Sequence, residues 1–105
     1  MNLETTKRYT LYIGLKDKDT KKQEIPTETV KSIVKKVCGD CSIFEGNGYY
    51  THDDGTEVTE PTLKVELLFK NNEVVINFAK ILRTELNQES IGYSEEVIKT
   101  TLIGE

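Results

Sequence analysis

Cys38-Gly39-Asp40-Cys41 is the sequence's plainest chemical signature. Two thiols at that spacing can cycle between dithiol and disulfide, or give zinc two soft ligands, provided they ionise. A helix N-terminus assists ionisation. Here an apolar stripe precedes the pair, which places it at a helix C-terminus, the negative end of the macrodipole. A tetrahedral zinc site would need two further ligands, and His52 is the only histidine. The expectation is therefore that Cys38 is a small core residue and that Cys41 opens the next strand. A thiol redox or metal protein using both is the second alternative function.

Other constellations carry less. His52-Asp53-Asp54-Gly55-Thr56-Glu57 gathers polar groups but lacks the oxygen ladder of a calcium loop. Asp54-Gly55 is explained as turn chemistry. No strand-to-helix glycine loop for phosphates and no nucleophile elbow occurs. Accordingly no catalytic set, metal or cofactor is expected. Lys16, Lys18, Lys21 and Lys22 cluster, but Asp17 and Asp19 are interleaved with them. Nucleic-acid tracking needs a larger, undiluted patch. The net charge of −4 is split, with the first 52 residues at +2 and the remainder at −6.

The elements that must position these groups follow from periodicity. Leu11, Ile13 and Leu15 alternate with Thr10, Tyr12 and Gly14, the pattern of a strand from Arg8 to Leu15 with one buried face. Val30, Ile33, Val34 and Val37 make a helical stripe, with Thr27 as its expected N-cap and Gly39 as its stop. Ser42 to His52 and Leu63 to Leu68 read as strands of a hairpin. A two-residue Asp54-Gly55 loop would pair Phe44 with Val65 and Glu45 with Lys64. Pro61 must then sit at an edge or a bulge. Val75, Phe78, Ala79, Leu82 and Leu86 form a second helical stripe after Asn71-Asn72, and a short strand is expected from about 90 to 98.

The order β-α-β-β-α-β predicts an α+β, ferredoxin-like fold: a four-stranded antiparallel sheet with two helices on one face. The chain of 105 residues is one domain's worth, with 1–6 expected to fray and 99–105 expected as a tail. A compact domain of this size has a radius of gyration of about 13 Å. No run of apolar residues is long enough to span a membrane, and cytoplasmic residence is the default expectation.

Arg8-Tyr9-Thr10-Leu11-Tyr12-Ile13-Gly14-Leu15, Glu45-Gly46-Asn47-Gly48-Tyr49 and Asn87-Gln88-Glu89-Ser90-Ile91 together resemble a small bacterial domain family of unknown function. Its members open with an Arg-x-x-Leu-aromatic-x-Gly-Leu strand and carry Gln-Glu-Ser after the second helix. The resemblance covers about residues 8–92. It implies the same fold and brings no activity.

The sheet face without helices is the expected working surface. In the expected register Tyr12, Ile43, Tyr49, Glu66 and Leu68 project from it, a mixed aromatic, aliphatic and acidic patch that could bury itself in a partner. The leading expectation is a non-catalytic interaction module that self-associates or binds another protein through this face. The first alternative is a small enzyme or ligand-binding protein of paired-sheet type, with Tyr12 and Glu66 as groups for proton transfer.

Overall fold

The computed structural model describes residues 2–51 and 53–104. Its elements are β1 (Glu4–Gly14), α1 (Thr27–Cys38), β2 (Ser42–Thr51), β3 (Glu57–Leu67), α2 (Asn72–Glu85) and β4 (Gly92–Thr100). The strands form one antiparallel sheet in the order β2-β3-β1-β4. This is the expected ferredoxin-like arrangement, with the two most apolar strands in the centre.

Both helices start and stop for local reasons. The Pro26 carbonyl accepts from the N–H groups of Thr29 and Val30. Thr27 is not the cap but the first helical residue; its hydroxyl instead accepts from the Gln23 amide. Gly39 ends α1 at φ 70°, a left-handed conformation that a side chain would strain. The Asn71 side chain caps α2 by accepting from the Val74 N–H at 2.9 Å. Val30, Val34, Cys38, Val75, Leu82 and Leu86 are buried against Leu11, Ile13, Leu63, Val65 and Leu67 of the sheet. Ile33, Val37, Phe78 and Ala79 pack on this core from its margin. Full burial of one such aliphatic side chain is worth about 1.5–3 kcal/mol.

The hairpin register differs from the expected one by a single residue. Phe44 pairs with Lys64, Ile43 with Val65 and Glu45 with Leu63, and the ladder ends at Thr51–Glu57. The connection therefore spans 52–56 rather than two residues. Asp54 Oδ1 accepts from the Thr56 N–H at 2.8 Å, and Gly55 takes φ 87°. An odd number of loop residues in place of an even number turns every β2 side chain to the opposite face. Ile43 and Tyr49 thus lie on the helix side of the sheet, and Phe44 and Tyr50 on the open side.

The strands also outrun one another. The β1–β3 ladder covers only Tyr9–Leu67 to Gly14–Thr62. Beyond Gly14 the β2–β3 hairpin continues alone, and beyond Tyr9 in the other direction β1 continues with β4 alone, as far as Glu4–Thr100. Glu4 to Thr6, expected to fray, and Lys99 and Thr100, expected as tail, are strand residues. These two arms point to opposite ends, and they stretch the molecule to 50 × 28 × 25 Å with a radius of gyration of 15.4 Å. Pro61 sits where β1 departs, a local edge, and no bulge interrupts its pairing with Asn47.

Candidate functional site

A cleft of about 870 Å³ opens where β1 leaves the overhanging β2–β3 hairpin. Tyr12, Gly14, Tyr50, Val58, Glu60 and Gly92 form its strand wall. All are even-numbered and project from the sheet's open side. The loop after β1 supplies Lys16, Asp17, Lys18 and Lys21, and the turn before β4 supplies Gln88, Glu89 and Ser90. The volume falls in the range of small-molecule sites, about 300–1,000 Å³.

Glycines let side chains lie flat on this wall. The Glu60 carboxylate rests on Gly14, where a Cβ would stand 2.6 Å from Glu60 Cδ. Its Oε2 accepts from the Lys16 N–H at 3.0 Å. Across the hairpin, the Tyr50 ring covers Gly48, and a Cβ there would meet the Tyr50 ring carbon bearing the hydroxyl at 2.8 Å. Tyr12 leans over Gly92, its strand partner. Two tyrosines that are each about half-exposed, 45% and 47%, therefore border one half-buried carboxylate.

The loop from Lys16 to Glu24 is fastened rather than slack. Asp17 Oδ2 accepts from the N–H groups of Asp19 and Thr20, and Oδ1 accepts from the Asn87 amide at 2.8 Å. That amide also donates to Asp19 at 2.9 Å, the Lys18 N–H donates to the Asn87 carbonyl, and the Gln88 amide donates to the Lys16 carbonyl. Asn87 stands at φ 48°, a conformation asparagine tolerates. The Asn87 hydrogen bond, then the backbone donors, hold the Asp17 carboxyl below its ordinary pKa.

Of the five open-face residues expected from sequence, Tyr12 alone lines the cleft. Glu66 lies on the open face as expected but pairs with Thr10 and Ser42 and bonds Lys64 at 3.2 Å, away from the cleft. Ile43 packs against the core on the opposite face. Tyr49, 74% exposed, pairs with Thr59 on the helix side of the hairpin arm. Leu68 is half-buried just past the last ladder residue of β3. Phe44 takes the open-face position instead, with the Lys64 ammonium 5.6 Å from its ring centroid. Glu60 and Tyr50 were missed, and the lysine cluster was noticed but set aside. The hairpin's parity hid Tyr50, the expected strand began at Leu63 and so left Glu60 out, and the interleaved aspartates made the lysines look neutralised.

Cys38 and Cys41 are free thiols at the end of α1. Burial, then the neighbouring Cys41, pushes the Cys38 thiol up to about 11, and burial and Asp40 push Cys41 up as well. Neither environment favours a reactive thiolate. His52, the third ligand weighed for zinc, lies outside the described residues. Among the described residues no cluster of His, Cys, Asp or Glu could hold a metal ion, and no helix is long and apolar enough to cross a membrane.

No family model matches the chain, and no curated protein does. Solved structures do. A phage SAM lyase in complex with S-methyl-5'-thioadenosine superposes with a TM-score of 0.64 and 22% identity, covering 92% of this chain and 90% of that one. The apo form of a phage SAM lyase gives 0.63 and 22%, covering 93% and 90%. CutA from Synechococcus elongatus gives 0.54 and 12%, covering 93% and 83%. At these identities the likeness shows the fold.

Proposed function

We propose that the cleft binds an adenosyl sulfonium, S-adenosylmethionine or a close relative, and breaks its carbon–sulfur bond to release S-methyl-5'-thioadenosine. The observation that carries this reading is the Glu60 carboxylate, half-buried over Gly14 in a cleft of small-molecule size that Tyr12 and Tyr50 also line. A cleft lined by a carboxylate and two aromatic rings attracts a cation such as a sulfonium, through charge and through the negative ring faces. The match to a phage SAM lyase over nearly the whole of both chains supports the same ligand.

The chemistry asks little of the protein. When the bond breaks, sulfur keeps the electron pair and leaves as a neutral thioether. The four-carbon fragment is completed in one of two balanced ways. Its own carboxylate oxygen can close on the carbon that lost sulfur, forming a lactone with no proton moved. Alternatively a base, for which Glu60 is placed, can take a neighbouring proton and leave an alkene. Neither route consumes water. Incubating the purified chain with S-adenosylmethionine and analysing by chromatography and mass spectrometry should show S-methyl-5'-thioadenosine, and the second product identifies the route. Absence of the nucleoside product after hours at micromolar protein would sink the proposal.

A second reading keeps the open face as a docking surface for another copy of the chain. It is favoured by Tyr12, Phe44 and Tyr50, aromatic side chains 45–49% exposed on a face no helix covers. Sedimentation should then show an oligomer that Phe44→Glu converts to monomer. A monomer at high concentration in the unaltered chain removes this reading and leaves the cleft proposal standing.

A further inference from the structure

The loop that looked self-neutralising in sequence is sorted by charge in the fold. The acids interleaved with its lysines, Asp17 and Asp19, both accept from the Asn87 amide, and Asp17 uses its second oxygen on two backbone N–H groups. Lys16, Lys18 and Lys21 all line the cleft, and among the described residues none of them lies within salt-bridge distance of an acid. Lys7, Lys31 and Lys64 each hold a glutamate at 3.0–3.2 Å, and of the lysines without such a partner among the described residues, Lys16, Lys18 and Lys21 are the ones that line the cleft. The loop also begins at the Glu60 carboxylate, which holds the Lys16 N–H. A carboxylate and three lysines thus stand at one end of one cleft. With Glu60 facing the sulfonium, the lysines stand where the ligand's own carboxylate, a few bonds away on the amino-acid end, would need opposite charge.

We infer that the Lys16–Lys21 loop, fastened to Asn87 through Asp17 and Asp19, recognises the carboxylate of the ligand's amino-acid end, and so selects adenosyl compounds that carry one. This rests on the reading of the cleft as an adenosyl site. Asn87 acts as a positioning residue: it engages Asp17 and Asp19 by hydrogen bonds and holds the loop beside the strand wall. Fastening in advance matters because a mobile lysine loop would lose ordering entropy when it closed on a ligand.

The test uses the full chain and three unreactive probes in titration calorimetry: S-adenosylhomocysteine, its decarboxylated analogue and S-methyl-5'-thioadenosine. The unaltered protein should bind S-adenosylhomocysteine at least about tenfold more tightly than the decarboxylated analogue, the scale of one charged hydrogen bond. Lys16→Gln/Lys18→Gln/Lys21→Gln should lose most of that preference and bind S-methyl-5'-thioadenosine as before. Asn87→Gly keeps the left-handed backbone but removes the amide, and it should lose part of the preference. Thermal melting checks that the variants fold. Equal binding of the first two probes by the unaltered chain, or an undiminished preference in the triple variant, overturns the inference while leaving the adenosyl site intact. Failure of all three probes to bind overturns both.

Discussion

On β1 and β3 the odd-numbered side chains Leu11, Ile13, Leu63, Val65 and Leu67 have no exposed surface, whereas Tyr12, Lys64 and Glu66 beside them remain partly in water. The helices seal the first set, and burial there leaves room only for apolar groups. The second set is unsealed, so it can mix aromatic rings with charges. The two ends of the sheet differ again. At the β1–β4 arm the charges are matched across strands: Lys7 with Glu95 and Arg8 with Glu96, with Tyr93 also donating to Glu95 at 2.6 Å. At the cleft end the lysines stand unmatched. Paired charges hold an arm together, and unmatched ones are available to a ligand.

The most severe way to break this contrast is to cut into the sealed face. Leu11→Ala should cost roughly 2–5 kcal/mol in urea unfolding, because the surrounding helices and strands cannot close the cavity. Tyr12→Ala, one residue away, should cost about 1 kcal/mol or less. Equal losses would show that the open face is sealed by a second copy.

The next effect concerns the cleft. Glu60→Gln should lower kcat/KM for release of S-methyl-5'-thioadenosine about a hundredfold, a size typical of a charged catalytic group, with little change in melting temperature. Gly14→Ala sharpens the assignment. The added Cβ collides with the carboxylate end of Glu60, a flexible tip that can move. About a tenfold loss of activity with nearly unchanged stability is expected. A large fall in stability would mean that Glu60 is a structural strut.

The smallest effect lies in the paired arm. Glu95 is held below its ordinary pKa of 4.5 by the Tyr93 and Lys7 hydrogen bonds. Its contribution is present above 4.5 and is lost as pH falls through the depressed value. Tyr93 is raised to about 12 by burial and by Glu95, and Lys7 is raised from 10.5 by the same glutamate. Their contributions are lost as pH rises above about 10, where the unfolded chain ionises first. Ultraviolet titration should show a tyrosine ionising near 12, and Glu95→Gln should bring that transition lower without removing the part due to burial. Loss of the arm's pH dependence should leave turnover in the cleft untouched.

The element order was readable because each element carried its own signal. Val30, Val34, Val75 and Leu82 recur at helical spacing, Leu11 and Ile13 alternate, and Gly39 and Asn71 mark a stop and a start. Each element buries its apolar set on one side, so periodicity reports that side directly. Local signal ran out at Asp54-Gly55. A turn dipeptide does not say how many residues join the connection, and one residue decides whether Phe44 or Ile43 meets the core.

By itself, the sequence determined six elements, the antiparallel sheet and the identity of its buried face, because hydrophobic burial acts through spacing along the chain. It also brought Tyr12 forward as an open-face aromatic. Only the tertiary structure decided that Tyr50 and Glu60, rather than Tyr49 and Glu66, stand beside it. Only there do Asp17 and Asp19 turn to Asn87, 68 residues or more away in the chain, and leave the lysines on the cleft. Sequence averages charges over neighbours, and a fold separates them by the partners it brings within hydrogen-bonding reach.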